Sequence, residues 1–465
     1  MYQFDFNHPV KVFFCGIGGI SMSGLALILK SRGYDVCGSD RAGSDLTRSL
    51  EAAGIPVAIG QRAENITDDI AVVIFTAAIH PDNPEYLRTK ELGLPFLTRA
   101  ELLGEILRGY ASSIAVAGTH GKTTTTSMIS EILMHAGCDP TVSVGGILES
   151  IGGNVRIGAS DYMVAEACEY TNSFLSMTPW IGIILNIDAD HLDFFKDLAD
   201  IRHSFRLFAE RIPSGGTLII NSDIPDADEL TAGLSCRVVT FGHDPERSDY
   251  YPTGIRYDEN AHPSYTCCHG ACGIRTQRIR LGVPGEHNVI NSLAAIAAAD
   301  LLGIPREDTA EALAMFGGTK RRFEYKGTWR GVRVIDDYAH HPTEIRATLR
   351  AAQGLEHDRI FCVFQPHTYT RTKALLDEFA DALSLADVVI LADIYAARET
   401  DTLGVSSQLL AQRIRDLGHE ETYWFPSFEK ILDFVRQNCR TNDVLITMGA
   451  GNVTEIGPSL LSRGD

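Results

Sequence analysis

The chain has 465 residues, enough for about three domains, and carries 60 acidic against 41 basic side chains. The net charge of −19 repels nucleic-acid backbones and anionic membranes, so neither is an expected partner. No apolar run approaches the ~18 residues of a membrane span, and MYQFDFNHPVK shows no charged leader ahead of an apolar core, so a cytoplasmic location is expected.

The first segment, 1–110, alternates strand-like and helix-like stretches. Strands are expected over Val10–Cys15, Val36–Ser39 and Ala71–Ala78, with helices over Met22–Ser31 and Arg99–Arg108. Such alternation predicts a parallel, doubly wound sheet. Between the first strand and helix lies Gly16-Ile17-Gly18-Gly19-Ile20-Ser21, and Asp40 follows the next strand. A glycine turn at a helix N-terminus holds any diphosphate. Ser21 stands where the dinucleotide fingerprint has its third glycine. A nicotinamide cofactor, a nucleotide-sugar diphosphate and a purely structural turn therefore all stay open, and the first would make the chain an oxidoreductase.

The second segment, 111–319, opens with an apolar strand, Ile114–Ala117, followed by Gly118-Thr119-His120-Gly121-Lys122-Thr123-Thr124-Thr125-Thr126 and a helical pattern over Met128–Met134. A glycine turn between strand and helix aims backbone N–H groups and the helix dipole at one spot, which suits a phosphate. Lys122 is expected to reach the outer phosphates, and Thr123 to ligate magnesium. The loop is shorter than the usual phosphate loop, because Val116 stands where a glycine is expected. Strands over Tyr162–Ala167 and Ile181–Ile187 lead into Glu166-Ala167-Cys168-Glu169 and Asn186-Ile187-Asp188-Ala189-Asp190-His191. Ligands of open α/β sheets bind beyond the strands' carboxyl ends, so Glu166, His191 and Thr123 can converge on one or two magnesium ions. Further strands are expected over Leu218–Ile220 and Arg237–Phe241.

From Tyr250 to Val283 the texture is polar and β-like. Cys267, Cys268, His269 and Cys272 are ligand types for zinc, but the spacing is too tight for a knuckle, and a surface hairpin is the preferred reading. The chain's ten cysteines read as reduced thiols. An alanine-rich helix over Asn288–Leu302 places Asn288 and Asn291 on one face, suited to an adenine edge. Gly317-Gly318 is a plausible hinge, and Lys320-Arg321-Arg322 beyond it can bring one arginine to a transferring phosphate.

The third segment, 320–465, restarts the alternation, with strands over Val332–Asp336, Ile360–Phe364, Val388–Ala392 and Val444–Met448 and helices over Ser406–Leu417 and Phe428–Gln437. Each strand ends in a polar or glycine-rich loop: Asp336 to Pro342, Gln365 to Arg371, Asp393 to Glu399 with Arg398, and Gly449 to Asn452. Four such ends in succession predict that this segment covers a ligand shared with the second.

Taken together, GIGGISMSG, GTHGKTTTT, EACEYTNSFL, NIDADHLD, PGEHNVIN, KRRFE, DDYAHHPTE, QPHTYTRT and MGAGN resemble, in order and over essentially the whole chain, the Mur ligases, ATP-dependent amino-acid ligases of peptidoglycan synthesis. The resemblance implies an α/β fold of three domains: an N-terminal Rossmann-like domain for a UDP-sugar, a central P-loop-type ATPase domain, and a C-terminal Rossmann-like domain that closes over the amino acid. It implies ATP and Mg2+ as cofactors. Gly118, Thr119, Gly121, Lys122, Thr123, Thr124, Asn288, Asn291, Arg322 and Asp337 would bind ATP, and Thr123, Glu166 and His191 would hold the metal. Gly16, Gly18, Gly19, Ser21, Ser39, Asp40 and His120 would bind the UDP-sugar, so the first loop should not carry NAD. His340 and Arg371 would place the sugar-linked carboxylate and the amino acid. Lys122, Glu166, His191, Arg322 and His340 would form the catalytic set.

Two departures stand out. Cys168, Tyr170 and Thr171 replace the acidic or small polar residues commoner in the family, and Arg202–Arg206 lacks the lysine that several sister ligases carbamylate. The second matches the alanine-adding branch, so UDP-N-acetylmuramate and L-alanine are the expected partners, in a monomer or homodimer. A ligase that attaches a recycled tripeptide is the nearest rival, and its first loop is expected to differ from GIGGISMSG.

Overall fold

The computed structural model describes residues 2–76, 78–270, 275–397, 399–401 and 403–462; Cys272 and Arg398 lie outside the described residues. The described strands form three sheets. The first holds five parallel strands in the order Val57–Ile59, Asp35–Asp40, Lys11–Cys15, Val72–Phe75, Phe96–Thr98. Three of its helices start where the sequence supplies side-chain caps. Ser44 and Thr98 each form a capping box, and Asn83 accepts from the N–H groups of Glu85 and Tyr86 just ahead of Pro84.

The second sheet places Ser112–Ala117 at its centre, between Ile181–Ile184 and Tyr162–Glu166, all parallel. Every residue of Ile114–Ala117 and Ile181–Ile184 is buried, as both faces of the sheet are covered by helices. The polar stretch beyond Tyr250 forms the antiparallel ribbon Tyr250–Tyr257, Pro263–His269 and Arg275–Arg280 at one edge. Cys267 and Cys268 sit in it with 4% and 7% exposure, and His269 stacks on Tyr250, so this hairpin is packed against the domain and not a free surface loop.

The third sheet runs Glu324–Trp329, Val332–Asp337, Val444–Met448, Ile360–Phe364, Val388–Leu391, Thr422–Trp424, parallel apart from the first edge strand. Between the second and third sheets the chain turns at Gly318, whose φ of +97° favours glycine. Among the described residues no helix is long and apolar enough to cross a membrane.

The two seams between these units differ in chemistry. One apolar cluster continues from the first sheet into the second, through residues such as Leu103, Ile106, Phe174 and Phe205. The helix Arg99–Arg108 lies so close to the turn Tyr170–Ser176 that a Cβ on Gly104 would sit 2.0 Å from Ser176 O. Hydrogen bonds and ion pairs line most of the seam between the second sheet and the third, where Ala261 makes a small apolar contact with the third sheet's core. Gly104→Ala is expected to lower the first urea-unfolding transition by about 1–3 kcal/mol, the usual cost of overpacking. Gly43→Ala, with no neighbour within 4 Å of the added carbon, should leave that transition unchanged.

Candidate active site

The central strand Ser112–Ala117 ends at Gly118, and the helix Lys122–His135 starts after Gly121. Their φ angles of +145° and +82° favour glycine. A Cβ on Gly121 would also lie 2.6 Å from Asn291 Oδ1, so glycine lets the loop touch the helix Glu286–Leu301. Asn186 ties the loop down from the neighbouring strand: its Oδ1 accepts from His120 N at 2.7 Å and its Nδ2 donates to His120 O at 3.0 Å.

Lys122 folds back over this loop. Its Nζ donates to Gly118 O at 2.5 Å and Thr119 O at 3.0 Å, and meets the Glu169 carboxylate at 2.9 Å. Burial opposes the charge on Lys122, but Glu169 and Glu166 more than offset it and raise its pKa above the ordinary lysine value. At the next residue, Thr123 Oγ1 donates to Glu166 Oε2 at 2.9 Å, and Gly145 N donates to the same oxygen at 2.8 Å. His191 Nε2 lies 3.9 Å from Glu169 Oε1, its ring centroid 4.5 Å from that of Tyr170 with the planes tilted by 32°. Thr123 and Glu166 are thus in direct contact, while His191 approaches only Glu169, the partner of Lys122; a hydroxyl with a carboxylate at contact distance is an oxygen donor set that suits magnesium.

Beside the loop opens a cavity of about 240 Å³ between the second and third sheets. Asn288, Asn291, Arg322 and Asp337 all line it, together with Gly121 and Thr124. Asn291 Nδ2 donates to Asn288 Oδ1 at 3.1 Å, and Asn288 Nδ2 to Pro284 O at 2.7 Å, which fixes both amides on the wall. Of the basic triplet, Arg321 is structural: it pairs with the fully buried Asp336 and donates to Gly449 O, leaving Arg322 as the guanidinium on the cavity. Asp337 accepts from Phe323 N and Ala339 N, both at 2.7 Å. Burial pushes its carboxyl up to about 6, although Arg322 pulls the other way.

His120 lies on this cavity too, away from the glycine loop of the first sheet. Its Nε2 is 3.2 Å from Asp188 Oδ2 and its Nδ1 3.3 Å from Glu344 Oε1. Burial works against charge on this ring, but hydrogen bonds to Asp188 and Glu344 outweigh it and raise the pKa to about 9. The rest of the seam is equally polar. Thr343 Oγ1 donates to Asp188 at 2.6 Å, His341 Nε2 meets Ala189 O at 3.2 Å, and Arg371 donates through Nε and Nη2 to Asp190 Oδ1 at 3.0 and 2.8 Å. Arg371 and His191 face each other across a further cavity of about 420 Å³. His340 Nδ1 donates to Tyr338 O at 2.9 Å, and burial lowers the ring's pKa to about 4, so it is neutral at pH 7.

In the first sheet, Gly16, Gly18, Gly19, Ser21, Ser39 and Asp40 do gather at one strand edge. Gly16 N donates to Ser39 O at 2.8 Å and Gly18 N to Asp40 Oδ2 at 2.9 Å. Ser39 turns its hydroxyl inward to the buried Glu85. Ser21 and Arg99 border a cavity of about 250 Å³ whose opposite wall carries Glu166 and Ser173. Glu169, Asp188, Asp190, Thr343 and Glu344 received no role from the sequence, although all lie inside the quoted motifs. Their signal is charge next to a strand end, which becomes informative only once the third sheet is docked on the second.

Residues 11–111 match the Mur ligase family, catalytic domain; residues 116–299 the Mur ligase middle domain; and residues 321–451 the Mur ligase, glutamate ligase domain. The chain is 58% identical to UDP-N-acetylmuramate–L-alanine ligase of Lachnospira eligens, over 99% of this chain and all of that one, and 57% identical to the same enzyme of Agathobacter rectalis. Among solved structures it is similar to UDP-N-acetylmuramate-alanine ligase of Thermotoga maritima, with a TM-score of 0.79 at 31% identity over 97% of this chain and 98% of that one. A murein peptide ligase of Psychrobacter arcticus is also similar, with a TM-score of 0.69 at 26% identity over the same shares. Three family regions in unbroken order, with full-length relatives more than half identical, make this chain an ATP-dependent ligase of the Mur ligase family.

Proposed function

We propose that the protein joins L-alanine to the lactyl carboxylate of UDP-N-acetylmuramate, with ATP giving ADP and phosphate, as a step of peptidoglycan synthesis in the cytoplasm. The observation that carries this reading is the cavity walled by Asn288, Asn291, Arg322 and Asp337, which opens onto the phosphate loop at His120 and Gly121, the residues just ahead of Lys122. The names borne by its full-length relatives support the choice of substrates.

A carboxylate does not react with an amine at neutral pH, because its oxygen is a poor leaving group. A carboxylate oxygen that attacks the γ-phosphorus of ATP releases ADP and forms an acyl phosphate, from which phosphate leaves easily. The amine of L-alanine then adds to the acyl carbon, and the tetrahedral intermediate collapses to the amide. In this reading Asn288 and Asn291 read the adenine edge, and Asp337 accepts from the ribose hydroxyls. Lys122 and Arg322 neutralise charge on the transferring phosphoryl group. Thr123 and Glu166, with His191 nearby, would hold magnesium, which when bound shields the phosphate oxygens. The glycine loop at Gly16 and the cavity bordered by Ser21 and Arg99 take the UDP-sugar, whose carboxylate then reaches across to Glu166. Arg371, already paired with Asp190, offers its remaining N–H groups to the carboxylate of L-alanine, and neutral His340 helps to place the reacting groups. His120 lines the ATP cavity in this reading and no longer serves the UDP-sugar.

Phosphate release should require ATP, UDP-N-acetylmuramate and L-alanine together. Release at full rate without an amino acid, or a preference for a tripeptide over L-alanine in a side-by-side assay, contradicts the reading. Lys122→Ala should lower kcat by about 10²–10³-fold, the usual effect of losing one donor to transition-state charge, with the KM for UDP-N-acetylmuramate little changed.

The Asp337 carboxyl gives a pH signature. Its folded pKa is raised by burial to about 6, so the native state favours the proton and the ionised form is the strained one. Ribose hydroxyls donate to the ionised form, so ATP affinity should fall as pH drops through about 6. The KM for ATP measured from about pH 5 to about pH 8 should show this limb in the native enzyme and lose it in Asp337→Asn.

A further inference from the structure

The polar seam holds a second set of ligand-type side chains, apart from Thr123 and Glu166. His120 on the phosphate loop, Asp188 beyond the strand Ile181–Ile184, and His341 at the start of the helix Pro342–Gln353 each present one ligand atom, all within 4.8 Å of one another. His120 Nε2 is 3.2 Å from Asp188 Oδ2, and His341 Nδ1 is 3.9 Å from the same oxygen. Ligands about 2.0–2.1 Å from a tetrahedral zinc lie about 3.3–3.4 Å from one another. The first edge already has that length, and the second needs a shift of about half an ångström.

The far side of each ring matters as much. Metal-binding histidines hold their second N–H against a carboxylate or carbonyl, which fixes the tautomer and aims the other lone pair. His120 has Glu344 Oε1 at 3.3 Å from Nδ1, and His341 has Ala189 O at 3.2 Å from Nε2. With protons on those two nitrogens, and with the proton that His120 Nε2 now gives to Asp188 displaced by the ion, His120 Nε2 and His341 Nδ1 present lone pairs, and both atoms lie beside Asp188. At present His341 Nδ1 accepts only a long bond of 3.3 Å from Thr343 N. The Asp188 side chain keeps 36% exposure, so an ion has an entry path and room for a water as fourth ligand.

We propose that His120, Asp188 and His341 form a binding site for a zinc-class dication that bridges the phosphate loop and the third domain. Two imidazoles and one carboxylate select such an ion over magnesium, which prefers oxygen. The ion takes the place of the proton that His120 otherwise shares with its carboxylates. Because His120, Asp188, Thr343 and Glu344 also wall the cavity beside the phosphate loop, the bound ion locks that wall and inhibits turnover. The inhibition, though not the binding, rests on the reading of this cavity as the ATP site.

The test uses the full chain in magnesium buffer. Titration calorimetry with zinc should find one tight site per chain, weakened at least about tenfold in both Asp188→Asn and His341→Gln. Cobalt in the same site should give visible bands without thiolate-to-metal charge transfer. Absence of tight binding, or unchanged affinity in both variants, overturns the proposal. So does a charge-transfer band, which would give the ion to Cys267 or Cys268. Zinc-edge X-ray absorption on the unaltered chain decides the matter even if the variants fail to fold. Two imidazoles with oxygen and no sulfur is the expected shell, and sulfur in it overturns the site. Zinc bound as expected with full ligase activity would refute the inhibition alone.

Discussion

A lysine ammonium taken out of water must be paired, and much of the active centre is arranged around that requirement at Lys122. Two loop carbonyls and the Glu169 carboxylate supply the pairing before any ligand arrives. Glu169 is itself only 2% exposed, so neither charge of this pair can be removed without stranding the other. An incoming phosphate therefore competes with groups that already hold the ammonium in the charged form at the mouth of the loop. The arrangement keeps Lys122 protonated and pre-aimed, so its reorganisation in the reaction is small. Glu166 is satisfied in a similar way by its neighbours, accepting from Thr123 Oγ1 and Gly145 N.

The same logic of pairing distinguishes the two seams. The first and second sheets share an apolar cluster and meet so closely at Gly104 and Gly24 that an added methyl group has no space; at Gly24 it would lie 2.2 Å from Val155. Separating these units would expose apolar surface, and they behave as one body. The second and third units meet through Arg371 with Asp190, Thr343 with Asp188, and His341 with Ala189. Those groups can be handed to water at small net cost, as in other polar inter-domain contacts. The cavity proposed for ATP lies on the polar seam, so in that reading the nucleotide enters through the more polar of the two contacts.

The sequence revealed the central strands, the phosphate loop and the strand-end loops because these are buried, apolar and punctuated by glycine. Strands at the sheet edges and next to them were less legible. Thr141–Leu148 carries Gly145 and Gly146 in its interior, and Glu324–Trp329 reads EYKGTW, with no alternation that a periodicity argument could find. Gly145 is there because a side chain would strike Glu166, a reason that lies in another strand. Arg321 and Arg322 were indistinguishable as sequence. Only the docking of Asp336 and Gly449 against one of them separates a structural arginine from the one left on the cavity. The surroundings of His120 were hidden for a related reason, since its neighbours Asp188 and Glu344 are 68 and 224 positions away in the chain.

The two glycine loops show how little a motif says about its ligand. Both follow a parallel strand and open a helix, and both contain left-handed glycines at Gly16 and Gly121. At the first, the Asp40 carboxylate accepts from Gly18 N, so a negative charge already occupies the donor that a diphosphate would use. At the second, the nearest side-chain charge is the ammonium of Lys122, and the carboxylates lie behind it. An anion at the first loop must share or displace an acid, which favours a ligand that also brings hydroxyl donors, as a nucleotide sugar does. An anion at the second meets the Lys122 ammonium as well as the loop N–H groups, which suits the phosphates of the proposed ATP. The division of labour proposed for the loops thus rests on one acidic side chain and one basic one, and not on the glycines they share.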